Sequence, residues 1–278
     1  MALAPVPARP QRLVFLGTPT LAVPPLRAVV AAGFDVALVV TRADKRRGRR
    51  AEPSPSPVKE AALELGLPVA HRVDEALGAG ADLGVVVAYG ALVKPHVLAE
   101  LAMVNLHFSL LPRWRGAAPV ERAILAGDTE TGVCVMQIEE GLDTGPVFAC
   151  ERVPIGPTTT ADDLRATLVD VGTPLLVDTL QHGLATATPQ QGEAVYAAKV
   201  EPADLELDWT RPPEELARLV RVGGAWTTFR GKRLKVLAAT VADGQLRLEV
   251  VQPEGKAPMT VTAWRNGAHP APGELPGV

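Results

Sequence analysis

The sequence predicts an α/β protein with a doubly wound, mostly parallel sheet, followed by a smaller barrel of antiparallel strands. Three observations predict this architecture. Short Val- and Leu-rich runs alternate with helical patterns as far as residue 138, which is typical of a parallel sheet covered on both faces. One long helical pattern spans residues 160–184. Beyond residue 208 the apolar runs are short and Gly-containing turns separate them, which is typical of a small barrel or sandwich.

The first part of the chain is predicted to alternate strand and helix. Its strands are the apolar runs at residues 11–17, 34–41, 68–70, 83–87, 103–108 and 131–138. Its helices are predicted at residues 21–32, 58–65, 74–79, 95–101 and 118–126. This order predicts a Rossmann-like sheet, because parallel neighbours need a crossover connection. The first turn reads GTPTLA and lacks the Gly-x-Gly-x-x-Gly fingerprint, so we expect no dinucleotide cofactor.

The hydrophobic pattern changes after the long helical segment, and this change predicts the domain organisation. We expect a catalytic domain over residues 1–192, a linker over 193–207 and a C-terminal domain over 208–278. In the last of these, a short helix is predicted at residues 208–222. Strands are predicted at residues 225–230, 232–240, 245–251 and 259–264.

The charge balance excludes a generic polyanion binder. The 278 residues hold 28 Lys and Arg against 31 Asp and Glu, so the net charge is −3. Any contact with nucleic acid must therefore come from a local basic patch. No apolar run approaches the roughly 20 residues that a membrane span needs. We expect a protein of the cytoplasm that contacts no membrane.

The N-terminus and the two cysteines support this expectation. Residues 1–10 are rich in Ala and Pro and lack a long apolar core, so they predict a loose leader and not a signal peptide. Cys134 and Cys150 lie in apolar runs without Cys-x-x-Cys spacing. We interpret them as small buried side chains, which fits a reducing compartment.

Asn105 and His107 are the first candidates for chemistry. Because side chains alternate along a strand, both residues point to the same side of the predicted strand at 103–108. They lie near its carboxyl end, where open α/β sheets bind ligands. Taken alone, Asn-x-His has a simpler interpretation, a satisfied core histidine beside a loop-capping asparagine.

Asp143 supplies a carboxylate that could complete a site with this pair. It lies between Gly141 and Gly145, which suits a tight loop returning over the sheet. An ordinary turn aspartate is the alternative. Together, the three residue types suit acyl transfer to an amine: Asn105 can donate to an oxyanion, and His107 can donate or shuttle a proton. Asp143 can orient the imidazole or help to deprotonate the attacking ammonium. Since no serine or cysteine nucleophile lies in a recognisable elbow, direct transfer is favoured over an acyl-enzyme.

The segments around these residues closely resemble the folate-dependent formyltransferases. The similar segments are NLHFSLLPRWRGAAPV from Asn105, GDTETGV from Gly127 and EEGLDTGPV from Glu139. The family shares Asn-x-His-x-Ser-Leu-Leu-Pro and a distal Asp, and the resemblance runs from residue 13 to about 259. It implies the formyltransferase fold, 10-formyltetrahydrofolate as formyl donor, no metal, and catalytic roles for Asn105, His107 and Asp143.

The same resemblance implies where folate binds. Ser109, Leu110, Leu111 and Pro112 match the segment that lines the folate pocket in the family. Val87 and Tyr89 belong to a segment, residues 87–90, whose backbone meets the pterin ring in the family. For the neighbouring Trp114, packing of the loop and a substrate-facing role both stay open.

Two further segments are similar to the branch of the family that acts on methionyl-tRNA. FLGTP at residues 15–19 opens the first turn, and TRADKRRGRR at residues 41–50 leads into PSPVK at 55–59. The branch has a loop of the type T-x-P-D-x-x-x-G-R-G there, and Arg49 falls on its arginine position. The resemblance implies that the α-amine of methionyl initiator tRNA receives the formyl group, for translation initiation. By itself the segment could be a solvated charged loop, but its cations suit phosphate contacts. The residues expected to contact tRNA are Arg42, Lys45, Arg46, Arg47, Arg49 and Arg50.

The tail departs from this branch. In the branch, a C-terminal barrel of OB type holds the tRNA backbone, so the resemblance implies that residues 208–278 form a tRNA-binding domain. Here residues 241–252 are shorter by roughly a hairpin, and the segment from residue 263 onward lacks the usual closing extension. We expect a reduced barrel with an edge strand that needs cover or charge.

Two other functions are considered. A sugar-nucleotide N-formyltransferase shares the core and the folate donor, but does not need the first turn or the arginine loop described above. A folate- or RNA-binding protein without catalysis is a different class, and the presence of all three polar residues argues against it. We expect a monomer whose partners are the folate donor and methionyl initiator tRNA.

Overall fold

The computed structural model describes residues 2–46, 52–271 and 274. Contacts between Cα atoms divide the chain into two compact units. The first holds the chain up to Pro119, with Glu130–Pro154 and Arg165–Ala197. The second holds Val120–Thr129, Ile155–Leu164 and the chain from Ala198 onward. The predicted domain boundaries after residues 192 and 207 stay predictions, although the contacts of residues 193–197 group them with the first unit.

The described chain before residue 198 contains the following elements. The strands are β1 (Arg12–Gly17), β2 (Asp35–Val40), β3 (Lys45–Arg46), β4 (Pro53–Ser54), β5 (Val69–Ala70), β6 (Leu83–Val87), β7 (Met103–His107), β8 (Arg115–Gly116), β9 (Glu130–Gln137), β10 (Val147–Pro154) and β11 (Tyr196–Ala197). The α-helices are α1 (Val23–Ala31), α2 (Pro57–Glu64), α3 (Pro95–Glu100), α4 (Pro119–Ala126) and α5 (Ala161–His182). Short 3-10 helices lie at Thr20–Ala22 and Val73–Ala79.

The main sheet confirms the predicted Rossmann-like, mostly parallel architecture. Its order is β10-β9-β7-β6-β1-β2-β5, and β5, β2, β1, β6 and β7 run parallel. Strands β9 and β10 are added antiparallel at one edge. Strand β7 pairs parallel with β6 and antiparallel with β9, so it lies where the parallel and antiparallel parts of the sheet meet.

Helices pack on both faces of this sheet, as continuous apolar strands require. On one face Met103 of β7 joins a core with Val97 and Leu98 of α3. On the other, Leu106 lies against Gly172 of α5, where an added Cβ would come within 3.3 Å of its side chain. Since β7 alternates, Asn105 and His107 point to the same side as Met103. The predicted common side of this pair is therefore confirmed.

The second unit contains a small antiparallel sheet that fits a reduced barrel. In the described chain from residue 198 the elements are α6 (Pro213–Val222), β12 (Trp226–Phe229), β13 (Lys232–Ala242), β14 (Gln245–Pro253), β15 (Met259–Thr260) and α7 (Val261–Ala268). The strands pair in the order β12-β13-β14-β15. Leu216 and Leu219 of α6 pack against Val236 of β13, which gives this sheet its own core.

The strand predicted at residues 259–264 is wrong beyond Thr260. The chain turns into helix α7, because the Thr260 side chain accepts a hydrogen bond from Ala263 N at 3.2 Å and caps the helix. Trp264 then packs edge-on against Phe229, with ring centroids 4.9 Å apart. The edge strand β15 therefore has only two residues, and helix α7 follows it where the rest of the strand was predicted.

The leader is not loose. Ala4 N donates to Leu98 O at 2.8 Å, and Leu3 packs against the core beside α3. Leu184 N donates to Ala8 O at 3.0 Å, so the leader is tied to the end of α5 as well.

The interpretation of both cysteines as buried thiols is also wrong. Cys134 of β9 and Cys150 of β10 are direct cross-strand partners and form a disulfide. Cys134 is fully buried, whereas Cys150 lies on the exposed side of the edge strand. In the register of the sheet, Cys134 is also the partner of His107 on the other side.

Candidate active site

The site is built around His107, the last residue of β7. The imidazole is 6 % exposed, and its Nε2 lies 3.0 Å from the main-chain oxygen of Trp114. Since a carbonyl oxygen only accepts, Nε2 carries the proton and donates it. Nδ1 therefore faces the second neighbour, Asp143, whose Oδ2 is 3.7 Å away. Of the three residues predicted from the sequence, His107 and Asp143 therefore lie next to each other.

The Asp143 carboxylate is held from the other side by a main-chain amide. Gly116 N donates to Asp143 Oδ2 at 2.8 Å. Gly116 has φ of 120°, and a Cβ there would lie 2.9 Å from Ala197 O. A side chain at this position would thus push the amide out of place. The glycine in the Arg-Gly pair after Trp114 is needed to bind the carboxylate.

The loop that carries Asp143 is closed by two glycines. Asp143 itself has φ of 51°, a left-handed conformation that is uncommon for a residue with a side chain. A Cβ on Gly145 would lie 2.0 Å from Gln137 O, so the loop returns in close contact with the end of β9. This tight return brings the carboxylate back to the imidazole.

Asn105 offers a free donor on the same side of the strand. It is partly exposed, and its register partner on β6 is Val86. No described residue makes a hydrogen bond with its side-chain amide, whereas both nitrogens of His107 already face a partner. In a mostly apolar strand, a polar group left without a protein partner is available to bind a ligand.

The segment predicted to line a folate pocket forms a tight turn after β7. Ser109 is fully buried and donates to Arg113 O at 2.6 Å. Leu110 lies against Gly132, where a Cβ would come within 2.5 Å of Leu110 Cδ2. The Leu111–Pro112 peptide is cis, and both residues are partly exposed. Folate contact by these four residues stays a prediction, and the Ser109 hydroxyl is already engaged within the turn.

Trp114 packs within this loop. It is 8 % exposed, and the guanidinium of Arg113 lies 4.4 Å from its ring centroid. Its φ is 62°, which directs its carbonyl to His107. The tryptophan therefore serves the site through its main chain.

The second segment predicted to bind folate is the loop after β6. Val87 and Tyr89 are buried, and burial raises the pKa of the Tyr89 hydroxyl above its usual value. Thr18 Oγ1 donates to Tyr89 O at 3.0 Å, and Arg42 Nη1 donates to Gly90 O at 2.7 Å. Folate contact by Val87 and Tyr89 stays a prediction. Because both side chains are buried, the main-chain atoms of these residues would make that contact.

Leu92, at the far end of this loop, was not predicted. Its side chain is 80 % exposed, and Leu142 beside Asp143 is 48 % exposed. Large exposed apolar side chains beside a polar site are candidates to contact the ring of a ligand.

The basic segment forms a short ribbon. Strand β3 pairs antiparallel with β4, so Arg46 lies opposite Pro53, and Arg46 is exposed. At its base, Thr41 Oγ1 and Ser56 Oγ are 2.7 Å apart in a buried hydroxyl pair. Arg47, Arg49 and Arg50 lie outside the described residues. Arg42, which was also predicted to contact tRNA, donates to the loop after β6.

Gln190 was not predicted from the sequence, nor was its contact with Arg115. The Gln190 amide nitrogen donates to the carbonyls of Asp143 and Gly145, at 2.8 Å each. Its oxygen accepts from Arg115 Nε at 3.0 Å and from Arg115 Nη2 at 2.6 Å. Gln190 lies 47 residues from Asp143 in the chain, in a stretch without a motif, so no sequence signal points to it.

The described residues do not suggest a metal centre or a membrane span. They contain no group of three or more His, Cys, Asp or Glu side chains that could hold a metal ion. In the part of the chain that the structure covers, no helix is both long and apolar enough to cross a membrane.

Comparison with known proteins agrees with this geometry. Residues 11–180 match the family model described as formyl transferase. A methionyl-tRNA formyltransferase from Symbiobacterium thermophilum is 43 % identical over 300 residues, covering 92 % of this chain and 92 % of the relative.

Solved structures show the same fold. The N-formyltransferase from Helicobacter canadensis, in a complex with folinic acid and dTDP-3-aminofucose, has a TM-score of 0.63 at 17 % identity, covering 87 % of this chain and 98 % of that one. Methionyl-tRNA formyltransferase from Clostridium thermocellum has a TM-score of 0.59 at 13 % identity, covering 87 % and 98 %.

The mostly parallel sheet is thus shared with formyltransferases of known structure. The chain belongs to the formyl transferase family. Its similarity over almost the full length is to the methionyl-tRNA formyltransferases of that family.

Proposed function

We propose that the protein transfers the formyl group of 10-formyltetrahydrofolate to the α-amino group of methionyl initiator tRNA, for translation initiation. The observation that carries this proposal is the contact between His107 and Asp143, 3.7 Å apart, beside the unpaired amide of Asn105. The identity of 43 % to a methionyl-tRNA formyltransferase over 92 % of the chain supports tRNA as the acceptor.

The reaction is a direct transfer. The amine nitrogen bonds to the formyl carbon, and the bond from that carbon to N10 of the folate breaks after a tetrahedral intermediate. Of the two protons that the ammonium loses, one ends on N10 and the other is released. The side chains must therefore stabilise an oxyanion and move protons.

Asn105 is the donor to the oxyanion. Its amide is the polar group of the site that has no partner among the described residues, and it lies on the same side of β7 as His107. A preorganised donor of this kind is worth about 100- to 1000-fold in rate.

His107 and Asp143 form the proton relay. Donation by His107 to the oxyanion would require Nε2–H to leave Trp114 O, to which it is bonded at 3.0 Å. Nδ1 faces Asp143 Oδ2 at 3.7 Å, so a closer approach of the carboxylate is enough for a proton to pass between them, and no existing bond has to break. The geometry favours the relay over the second-donor role.

The folate donor fits the loops around this site. Leu111, Pro112 and the exposed Leu92 offer apolar surface for a ring, and the Ala88–Gly90 turn is held in place by Thr18 and Arg42. Ser109, Leu110, Val87 and Tyr89 shape these loops from inside. No metal is required, because the oxyanion and the protons both have protein partners.

The tRNA contacts are assigned to the basic ribbon. Exposed cations suit phosphates, and Arg46 on β3 is exposed. Lys45, Arg47, Arg49 and Arg50 belong to the same segment of the sequence. Arg42 contributes by holding the base of the ribbon against Gly90 O. We propose that the protein acts in the cytoplasm, where its tRNA substrate is used, and that it acts as a monomer.

A formyl-transfer assay with two classes of acceptor tests the proposal. The purified protein is incubated with 10-formyltetrahydrofolate and either methionyl initiator tRNA or a set of amino-sugar nucleotides. We expect transfer to the tRNA alone. Transfer only to an amino-sugar nucleotide would establish the alternative, a sugar-nucleotide N-formyltransferase. Folate binding without any transfer would indicate a protein that has lost catalysis.

A further inference from the structure

The side chain of Gln190 holds the loop that carries Asp143. Its amide nitrogen bonds the carbonyls of Asp143 and Gly145, two residues apart, at 2.8 Å each. Its two N–H groups are thus both used on the same loop. A glutamine that uses both protons on main-chain carbonyls fixes the path of that backbone more firmly than a single bond does.

The loop needs such a support. Asp143 has φ of 51°, so its backbone is held in a left-handed conformation that a side chain disfavours. The carboxylate of Asp143 has two tasks, accepting from Gly116 N at 2.8 Å and facing His107 Nδ1 at 3.7 Å. A small rotation of this backbone would break both contacts.

Gln190 is itself held on both sides. Thr188 and Val147 exchange main-chain hydrogen bonds, each 2.8 Å long. Farther on, Arg115 N donates to Val195 O at 2.9 Å, so the segment also pairs with the loop after β7. The Gln190 side chain therefore starts from a backbone fixed against both halves of the site.

Arg115 orients the amide of Gln190. Its guanidinium donates two hydrogen bonds to the Gln190 oxygen, at 3.0 and 2.6 Å. Because guanidinium only donates, the amide oxygen must face Arg115, and the nitrogen must face the loop. The opposite orientation of the amide is excluded, because it would place the NH2 group of Gln190 against the N–H groups of Arg115.

We propose that Gln190 is a positioning residue for formyl transfer: with Arg115 it holds the left-handed Asp143 backbone so that the carboxylate stays on His107. This inference rests on the proposed function of the site. Gln190 does not touch the carboxylate, so its effect reaches the chemistry only through the main chain.

The test compares three variants in the transfer assay. Gln190→Met keeps the volume and removes all four hydrogen bonds. Gln190→Glu keeps acceptors for Arg115 and removes the donors to the loop. Gln191→Met is the matched control, because Gln191 is exposed and its side chain makes no hydrogen bond in the described part of the chain. We expect kcat to fall about 10- to 100-fold in both Gln190 variants and to stay unchanged in the control, with KM for tRNA within about 3-fold.

A double variant separates positioning from general loss of structure. If Gln190 acts through Asp143, Gln190→Met should cost less than 3-fold in an Asp143→Asn background. An equal loss in both backgrounds, or a Gln190→Glu variant as active as the parent protein, would overturn the proposal.

Hydrogen exchange gives a readout that does not depend on the substrate. The amides of residues 141–145 should exchange faster in Gln190→Met than in Gln191→Met. Unchanged exchange in that segment overturns the inference, even if the parent protein transfers formyl groups. If exchange does rise but the parent protein transfers no formyl group, then the proposed function fails and the positioning of the loop stands.

Discussion

At the scale of single residues, backbone strain is a feature of the loops that form the site. Three residues with side chains adopt positive φ in loops of the site: Ala88 at 46°, Trp114 at 62° and Asp143 at 51°. The Trp114 carbonyl faces His107, and so does the Asp143 carboxylate. Ala88 lies in the loop after β6. Such conformations persist when the surrounding contacts over-determine them, as the bonds from Gly116 and Gln190 do for Asp143.

Asp143 can be tested without disturbing that backbone. Asn tolerates positive φ and still offers an oxygen to Gly116 N, but it lacks the charge that faces His107. We expect Asp143→Asn to keep the melting temperature within about 3 °C and to lower kcat about 100- to 10,000-fold. Steady-state kinetics beside calorimetry checks this. A variant that is stable and fully active would remove Asp143 from the relay.

Tyr89 provides a pH-dependent signal from the loop after β6. Burial raises its pKa above the usual 10.0, so the folded state holds the phenolic proton to higher pH than the unfolded state does. Its contribution to stability is present below pH 10 and is lost as pH rises through the higher, folded pKa.

The chain has two tyrosines, Tyr89 and Tyr196, so the titration can be assigned. We expect the tyrosinate absorbance to show a step above pH 10 that disappears in Tyr89→Phe. If the step that the Phe variant removes lies below pH 10, then Tyr89 is not held in a buried environment.

At the scale of elements, the hydrophobic pattern predicted those strands that consist of continuous apolar runs. Strand β6 was predicted with its bounds, Leu83–Val87, because all five of its residues are buried. Edge strand β10 was missed, since its exposed stretch Cys150–Arg152 breaks any apolar run. Helix α7 was predicted as strand because Val and Thr favour strands, whereas its cap and the packing of Trp264 decide otherwise.

The cap of α7 can be tested by stability. Thr260→Ala removes the side-chain bond to Ala263 N and should lower the free energy of unfolding by about 1 kcal/mol. Thr262→Ala is the matched control, because Thr262 is exposed on the same helix. Urea unfolding followed by tryptophan fluorescence measures both. An equal effect of the two substitutions would argue against the cap.

Two arginines of the basic segment should behave differently. Arg46 is exposed on β3, so Arg46→Ala should raise KM for tRNA and reduce the slope of log KM against log salt by about 1. Arg42 bonds Gly90 O, so Arg42→Ala should raise KM for the folate donor as well. KM values for both substrates at three salt concentrations decide this. Equal effects on the folate KM would show that Arg42 does not act through the loop after β6.

At the scale of the whole molecule, the sequence predicted the class of fold, and it proposed three site residues that the structure brings together, but it did not predict the contacts that support them. Asn105 and His107 belong to one strand, and Asp143 belongs to a recognisable loop, so local patterns suffice. The bond from Gln190 to Asp143 joins residues 47 positions apart, and the cross-strand pairing of Cys134 and Cys150 depends on an unpredicted strand. Such pairings follow from register, which a single sequence does not reveal.

Charge over the whole chain also limits the function. With a net charge of −3, the protein can hold tRNA only where cations are concentrated, as they are over residues 42–50. The predicted side-chain contacts with tRNA phosphates therefore depend mainly on this segment, whereas formyl transfer depends on the site.

The most direct test of that site is the single-turnover rate of formyl transfer to methionyl initiator tRNA, with both substrates saturating, in the parent protein and in Asn105→Ala. We expect the parent protein to formylate the tRNA and the variant to be slower by about 100- to 1000-fold, since it lacks the donor to the oxyanion. A variant as fast as the parent protein would contradict the assignment of this strand end as the place where the formyl group is transferred.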